Sequence, residues 1–263
     1  MLEYLQAAVL GIVEGLTEFL PVSSTGHLIL AEDALAFDLP VKNMFTVVIQ
    51  LGAILSVCWL YRARLFEVIL NLNDKKQQSF VLNLFVAFLP AAIIGLAFHH
   101  VIEEQLFSPL VVAISLVIGG FIILAVEKWK PMATTGSIDA MTLKQALLIG
   151  CAQAVAVIPG TSRSGATIIG GLLTKLDRKT ATEFSFFLAI PVMCAATLLD
   201  VIKYHTVLTM HDLVIIAIGF VVSFLSGLAA VTFFVRFVGQ HSFVPFALYR
   251  IVFGGAMFFY YAL

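Results

Sequence analysis

Long apolar runs constrain this chain more than any other feature. Six of them, at about residues 44–61, 80–98, 110–126, 183–200, 213–235 and 244–262, are each close to the roughly 20 residues that a helix needs to cross a bilayer. Inside a bilayer each backbone N–H and C=O must be paired within its own segment, so such runs fold as helices. The expected fold class is an all-α integral membrane protein. With 61% hydrophobic and 12% charged residues, the chain carries about half the charge of a soluble domain. Its net charge of −1 leaves no basic surplus for nucleic acid. Cys58, Cys151 and Cys194 sit inside apolar runs without metal or redox spacing, and read as small packing residues. The N-terminal stretch lacks a basic start and is interrupted by Glu3, Glu14 and Glu18, which argues against a signal peptide.

Two further apolar regions do not fit as simple spans. Residues 2–36 break at Pro21 and run on as S-S-T-G at Ser23–Gly26, and residues 142–176 break at Pro159 and Gly160 and run on as T-S-R-S-G at Thr161–Gly165. Each half is too short or too polar to cross alone, and irregular backbone at membrane depth is tolerated only within protein or beside water. The expected form is a pair of re-entrant helical hairpins. Of the 15 lysines and arginines, this topology leaves only Lys42 and Lys203 in loops on the side of the N-terminus. Arg163 and Arg250 stay at membrane depth, and all the others fall on the opposite side. The positive-inside rule makes that basic side cytoplasmic. Both termini, and the opening of any site between the hairpins, are then expected to face the periplasm or cell exterior.

A shift of 139 positions lays Gly11 on Gly150, Glu14 on Gln153, Ser23 on Ser162, Gly26 on Gly165 and Phe45 on Phe184. The expected organisation is one membrane domain of two pseudo-repeats, 1–127 and 140–263, joined by a cytoplasmic loop, 128–139. Each repeat holds one hairpin and three spans. Three is odd, so the second half is inserted upside down. Inverted repeats place their polar sites near the midplane, where the halves meet.

Ionisable groups at membrane depth are expensive and mark functional sites. Glu14 and Glu18 are four apart and share a helix face; two such charges need a cation, an arginine or a shared proton. His27 follows the hydroxyls of the first tip. It reads as a general acid/base or a nucleophile toward phosphorus, or as a helix-start histidine satisfied by backbone. In the second tip, Ser162, Arg163, Ser164 and Thr167 supply hydroxyls and a guanidinium fork at a helix start, a combination that suits a phosphate. The plainer alternative pairs Arg163 with Glu14 or Glu18 as structural glue, and the two are compatible. Arg250, in the last span, is a second arginine candidate for phosphate, unless it snorkels. His99, His100, His205, His211 and His241 lie near span ends and read as interfacial. Two classes stay open on these features: an enzyme of phosphoryl transfer within the membrane, and a transporter or lipid flippase built on the same broken helices.

The stretches E-G-L-T-E-F-L-P-V-S-S-T-G-H at Glu14–His27 and P-G-T-S-R-S-G-A-T at Pro159–Thr167 resemble the two signature motifs of the undecaprenyl-diphosphate phosphatase, or bacitracin-resistance, family. Phe45–Gly52 is similar too. The resemblance implies a multi-pass enzyme of the bacterial inner membrane that removes the terminal phosphate of undecaprenyl diphosphate and recycles the lipid carrier for wall synthesis. It also implies a divalent cation, Mg²⁺ or Ca²⁺. Carried over by position, Glu14, Glu18, Ser24 and His27 are the first motif's site residues, and Ser162, Arg163 and Thr167 the second's. Glu14 and Glu18 are then expected to hold the cation, or one of them to act as base. Arg163, the hydroxyls of Ser162, Ser164 and Thr167, and backbone N–H groups bind phosphoryl oxygens. The nucleophile stays open between Ser24, His27 and a water that His27 activates. The expected partner is a polyprenyl diphosphate lipid; the oligomeric state, a homodimer included, is open.

Overall fold

The computed structural model describes residues 1–39, 42–98, 106–129, 132–204 and 208–263, the side chains of 200–204 excepted. His99, His100, His205 and Lys130 lie outside the described residues. The described elements are helical: α1 Leu2–Thr17, α2 Ser24–Ala34, α3 Lys42–Leu60, α4 Arg62–Leu70, α5 Lys75–Ala97, α6 Pro109–Trp129, α7 Leu143–Ala154, α8 Arg163–Leu173, α9 Arg178–Tyr204, α10 Met210–Val238 and α11 Val244–Ala262. Six of these, α3, α5, α6, α9, α10 and α11, are long and apolar enough to cross a membrane, and they fall on the six runs expected from the sequence.

The other helices are too short to cross. α1 has 16 residues, α2 11, α7 12 and α8 11, and at 1.5 Å per residue none reaches across a hydrocarbon core of about 30 Å. α1 lies along α10, and α7 along α5. Both packings depend on a missing side chain. A Cβ on Gly11 would come within 2.5 Å of Gly219 O, and one on Gly150 within 2.5 Å of Ala87 O, so each short helix sits backbone to backbone on its long neighbour. α6 and α11 pack along each other, as do α3 and α10.

Among the described residues, four non-glycine residues have positive φ: Ser23 at 68°, Ala36 at 50°, Ser162 at 72° and Lys175 at 68°. They form two pairs, Ser23 with Ser162 and Ala36 with Lys175, each 139 positions apart. α2 and α8 keep the same offset at both ends. A left-handed residue with a Cβ costs about 1–2 kcal/mol, so finding it at matched positions points to a shared local design.

The interior is rich in aromatics, with Phe19, Phe45, Phe184, Phe186 and Phe234 all fully buried. Large apolar residues such as Phe85, Ile93, Phe121, Val252 and Phe259 are exposed on the outside, where a bilayer supplies the apolar surroundings. Two details differ from expectation. Residues 62–70, expected as loop, form α4, which exposes Phe66, Ile69 and Leu70; arginines beside an outward apolar face suit the membrane interface. Cys151 and Cys194 are exposed rather than packed, and only Cys58 is partly covered. On a surface that lipid covers, a thiol needs no protein neighbour. Gly119 and Gly254 leave room that a Cβ would take from Arg250 and from Leu116 and Ala113 O, whereas a Cβ on Gly255 would meet nothing within 4 Å.

Candidate active site

The polar groups meet where the two short-helix pairs break. Pro21 follows α1, and Pro159 follows the 3-10 turn Val155–Val157 that ends α7. Each break then passes through a left-handed serine, Ser23 or Ser162, before the next helix starts. Ser162 caps α8: its Oγ accepts from Gly165 N at 3.1 Å and lies 3.0 Å from Ser164 Oγ. Ser164 Oγ donates to Leu20 O at 2.8 Å, which ties the second break to the first.

Arg163 is the first residue of α8. Its Nη2 donates to Glu18 Oε1 at 2.9 Å and its Nη1 to Ser185 O at 2.9 Å. Its Nε is buried and has no partner. The guanidinium lies 5.8 Å from the centre of the Phe19 ring. Glu18 Oε2 accepts from Ser24 Oγ at 2.6 Å, inside the range for a hydroxyl and its base. One carboxylate therefore bridges the first hydroxyl of α2 and the guanidinium of α8. Glu14, one turn earlier, is fully buried, and neither of its carboxylate oxygens has a donor. Its charged neighbours are Glu18, Arg163 and, with the smallest influence, Glu32.

The remaining expected residues are placed differently. Thr167 Oγ1 lies 2.6 Å from Ser185 Oγ and within reach of the carbonyls of Arg163 and Ser164, so it braces α8 against α9. His27 Nδ1 lies 2.8 Å from Ser23 O, which can only accept, so that nitrogen carries the proton. Its Nε2 then accepts from Tyr249 Oη at 2.6 Å. The ring stacks on Phe253, with centroids 4.2 Å apart. Both nitrogens are thus occupied by groups outside the Glu18–Arg163 cluster, and the expectation of His27 as base or nucleophile is not met in this arrangement.

Arg250 departs from expectation as well. It is 1% exposed, and its five donors all go to carbonyls: Leu116, Pro21, Thr161, Ser115 and Gly160, at 3.0–3.2 Å. No N–H is left for a phosphate. Arg250 instead clamps both breaks to α6, because the chain reversals leave carbonyls that no helix satisfies. Ser185 and Tyr249 were not singled out from sequence. The sign for Ser185 was a hydroxyl inside the run F-S-F-F at 184–187; for Tyr249 there was none, since its partner is 222 residues away.

A divalent cation can be tested against these side chains. Glu14 and Glu18 present two carboxylates, and Glu14 holds two buried oxygens without donors. That suits a hard cation which completes its shell with substrate phosphate and water. Among the described residues no group of three or more His, Cys, Asp or Glu forms a fuller cage.

Membrane-length helices around a buried hydroxyl, carboxylate and guanidinium, gathered at two helix breaks, define a multi-pass membrane protein equipped to handle an anionic group. Comparison with known proteins is more particular. Residues 7–256 match the family of the bacitracin resistance protein BacA, and the chain belongs to that family. It is 58% identical over 250 residues to the undecaprenyl-diphosphatase of Nitrosomonas europaea, covering 95% of this chain and 92% of that one. It is 53% identical over 262 residues to the undecaprenyl-diphosphatase of Methylobacillus flagellatus, covering 98% and 97%. To that of Neisseria meningitidis it is 52% identical over 256 residues, covering 96% and 93%.

Proposed function

We propose that this protein hydrolyses undecaprenyl diphosphate to undecaprenyl phosphate and inorganic phosphate at a site buried in the membrane. The observation that carries the reading is the chain Ser24–Glu18–Arg163: a hydroxyl 2.6 Å from a carboxylate that also holds a guanidinium at 2.9 Å. The relatives' shared name supports the substrate. No observation favours the transporter or flippase alternative over it.

Phosphoryl transfer asks a protein mainly for position and charge. In the resting site Arg163 is paired with Glu18. A terminal phosphoryl group offers the guanidinium a more highly charged partner that it can grip with two parallel N–H bonds, and the unpaired Nε adds a donor. As Arg163 turns to phosphate, Glu18 is released to act as base. Ser24 Oγ attacks the terminal phosphorus and gives its proton to Glu18 Oε2. The bond from that phosphorus to the bridging oxygen breaks, and undecaprenyl phosphate leaves with the electron pair. Water then attacks the phosphoserine; Glu18 returns its proton to the departing Ser24 Oγ, and the water's spare proton leaves on the phosphate. Mg²⁺ or Ca²⁺, held by Glu14 and Glu18, would supply charge neutralisation for the phosphoryl oxygens. His27, fixed between Ser23 and Tyr249, holds the first turn of α2 so that Ser24 points at Glu18.

The same reading includes an inverted repeat with α1–α2 and α7–α8 as re-entrant pairs. Matched offsets of helices and left-handed residues support it. So does the loop charge, which favours termini and site opening on the periplasmic or outer face of a bacterial plasma membrane. Purified protein incubated with undecaprenyl diphosphate tests the function. Phosphate release is expected, with a phosphorylated protein trapped by rapid acid quench; Ser24→Ala should lose both. Release by Ser24→Ala at the parental rate would transfer the nucleophile's role to water.

A further inference from the structure

A groove of about 630 Å³ opens beside Arg163, between α5 and α9. Its floor is polar: Gln153 and Arg163 reach it from the second helix break. Gln153 is 1% exposed and its Oε1 has no partner, and the unpaired Nε belongs to Arg163. The walls are apolar, with Phe88, Ala92 and Gly95 on α5 facing Val192, Ala196 and Leu199 on α9. From Phe88 to Leu96 the α5 wall runs about 12 Å at helical rise.

The 139-residue offset shows what closure of this helix pair requires. Each of these wall positions has a counterpart 139 residues away, on α10 for α5 and on α3 for α9. Ala53 and Val57 on α3, with Val231 and Phe234 on α10, are all fully buried, and α3 and α10 pack along their length. By contrast α5 and α9 meet at few places. Where α10 carries Phe234, α5 carries Gly95, and a Cβ there would touch nothing within 4 Å. Both wall helices also hold an interior proline near the floor, Pro90 and Pro191, which removes a ladder hydrogen bond and lets each helix bend. The same interface is filled in one half and open in the other.

We infer that this groove seats the isoprenoid units next to the substrate's diphosphate, with Gln153 at its head holding the lipid-linked phosphate beside Arg163. The inference rests on the phosphatase reading and names how that site takes its lipid. An occupant must be anionic at one end and apolar beyond it, as a prenyl diphosphate is. Gln153 Nε2 now reaches Ala87 O over a long 3.4 Å, so the amide can turn toward a phosphate oxygen at small cost. Isoprenoid carbon against the walls is remote binding, which a truncated substrate forfeits in kcat as well as KM.

Gly95→Phe, which copies Phe234 of the other half, is the test, with Leu198→Phe as control. Leu198 is exposed on α9 outside the groove. Rates of phosphate release are measured for dimethylallyl, farnesyl and undecaprenyl diphosphates, and melting temperatures with and without undecaprenyl phosphate. The parent and Leu198→Phe should favour long chains over dimethylallyl by about tenfold or more in kcat/KM. Gly95→Phe should lose most of that advantage and the thermal shift, while Gln153→Leu should raise KM for every chain length. If Gly95→Phe does not fold, Ala92→Phe narrows the same wall. Parental chain preference and thermal shift in a folded groove variant would overturn the inference, as would a parent indifferent to chain length. A parent that is stabilised by undecaprenyl phosphate yet releases no phosphate would sink the phosphatase reading and leave the groove standing.

Discussion

Arg163 carries the greatest demand of any single residue. Two of its nitrogens bind protein acceptors and its Nε is buried without one, so in the absence of an anion its donor set is incomplete. Lysine would keep the charge but offers a point, not a fork. Arg163→Lys should therefore keep the fold and lower phosphate release by about 10²-fold or more, as removal of a well-aimed transition-state donor does; parental turnover would reduce Arg163 to glue. The two acids should separate under substitution. Glu18→Gln removes the base and leaves Arg163 unpaired, and should cost about 10²-fold or more in kcat. Glu14→Gln should cost less. Its amide can donate to Glu18, and the repeat already places Gln153 at the matching position. If Glu14 shares a cation, this variant should also need a higher Mg²⁺ or Ca²⁺ concentration for half-maximal release. Equal losses in kcat, with unchanged cation dependence, would contradict that division.

The helix breaks show how far pattern alone reaches. Pro21, Pro159 and Gly160 mark the breaks in the sequence, and the serines beyond them mark the helix starts, because backbone chemistry at one position decides both. Six spans are legible for the same reason: twenty apolar residues suit a bilayer wherever they pack. What pattern cannot supply is the partner of each polar group. His27 looks catalytic by type and position, yet its ring nitrogens go to Ser23 and Tyr249. Arg250 reads as a phosphate ligand until the carbonyls around it are counted. Those carbonyls come from three segments far apart in sequence, so only the assembled fold brings them together. Arg250→Met should accordingly be a stability variant first. Each buried carbonyl left without a donor costs about 1–3 kcal/mol, and the breaks would lose their common anchor. The expected result is a clearly lower melting temperature in detergent. Residual folded protein at low temperature should retain its affinity for substrate better than Arg163→Lys does. An unchanged melting temperature with lost substrate binding would return Arg250 to the site.

At the scale of the whole molecule, the number of crossings decides whether the termini share a face, and the loop charge decides which face that is. In the re-entrant arrangement proposed above, one short-helix pair and three spans per half make the number of crossings odd. The second half must then run through the bilayer in the opposite sense, and the two breaks can enter from opposite faces and meet. α1 on α10 and α7 on α5 are the same packing seen twice, and both pivot on matched glycines. With six crossings the termini share a face. Lysine and arginine choose which: in that arrangement only Lys42, at the start of α3, and Lys203, near the end of α9, fall on the terminal side, while Arg62, Arg64, Lys75, Lys76 and the others fall on the opposite one. Charged loops of this kind stay on the cytoplasmic side during insertion. A reporter fused after Leu263 that works only in the cytoplasm should give no signal, and one that works only outside should be active. The same pair of reporters placed after Lys76 should reverse the result. A cytoplasmic signal at Leu263 with an external one at Lys76 would reverse the orientation and keep six crossings, whereas a cytoplasmic signal at both would change the number of crossings between them from odd to even. In the second case one of the short pairs would have to traverse the bilayer, the breaks would no longer enter from opposite faces, and the shared site between Glu18 and Arg163 would lose its architectural basis.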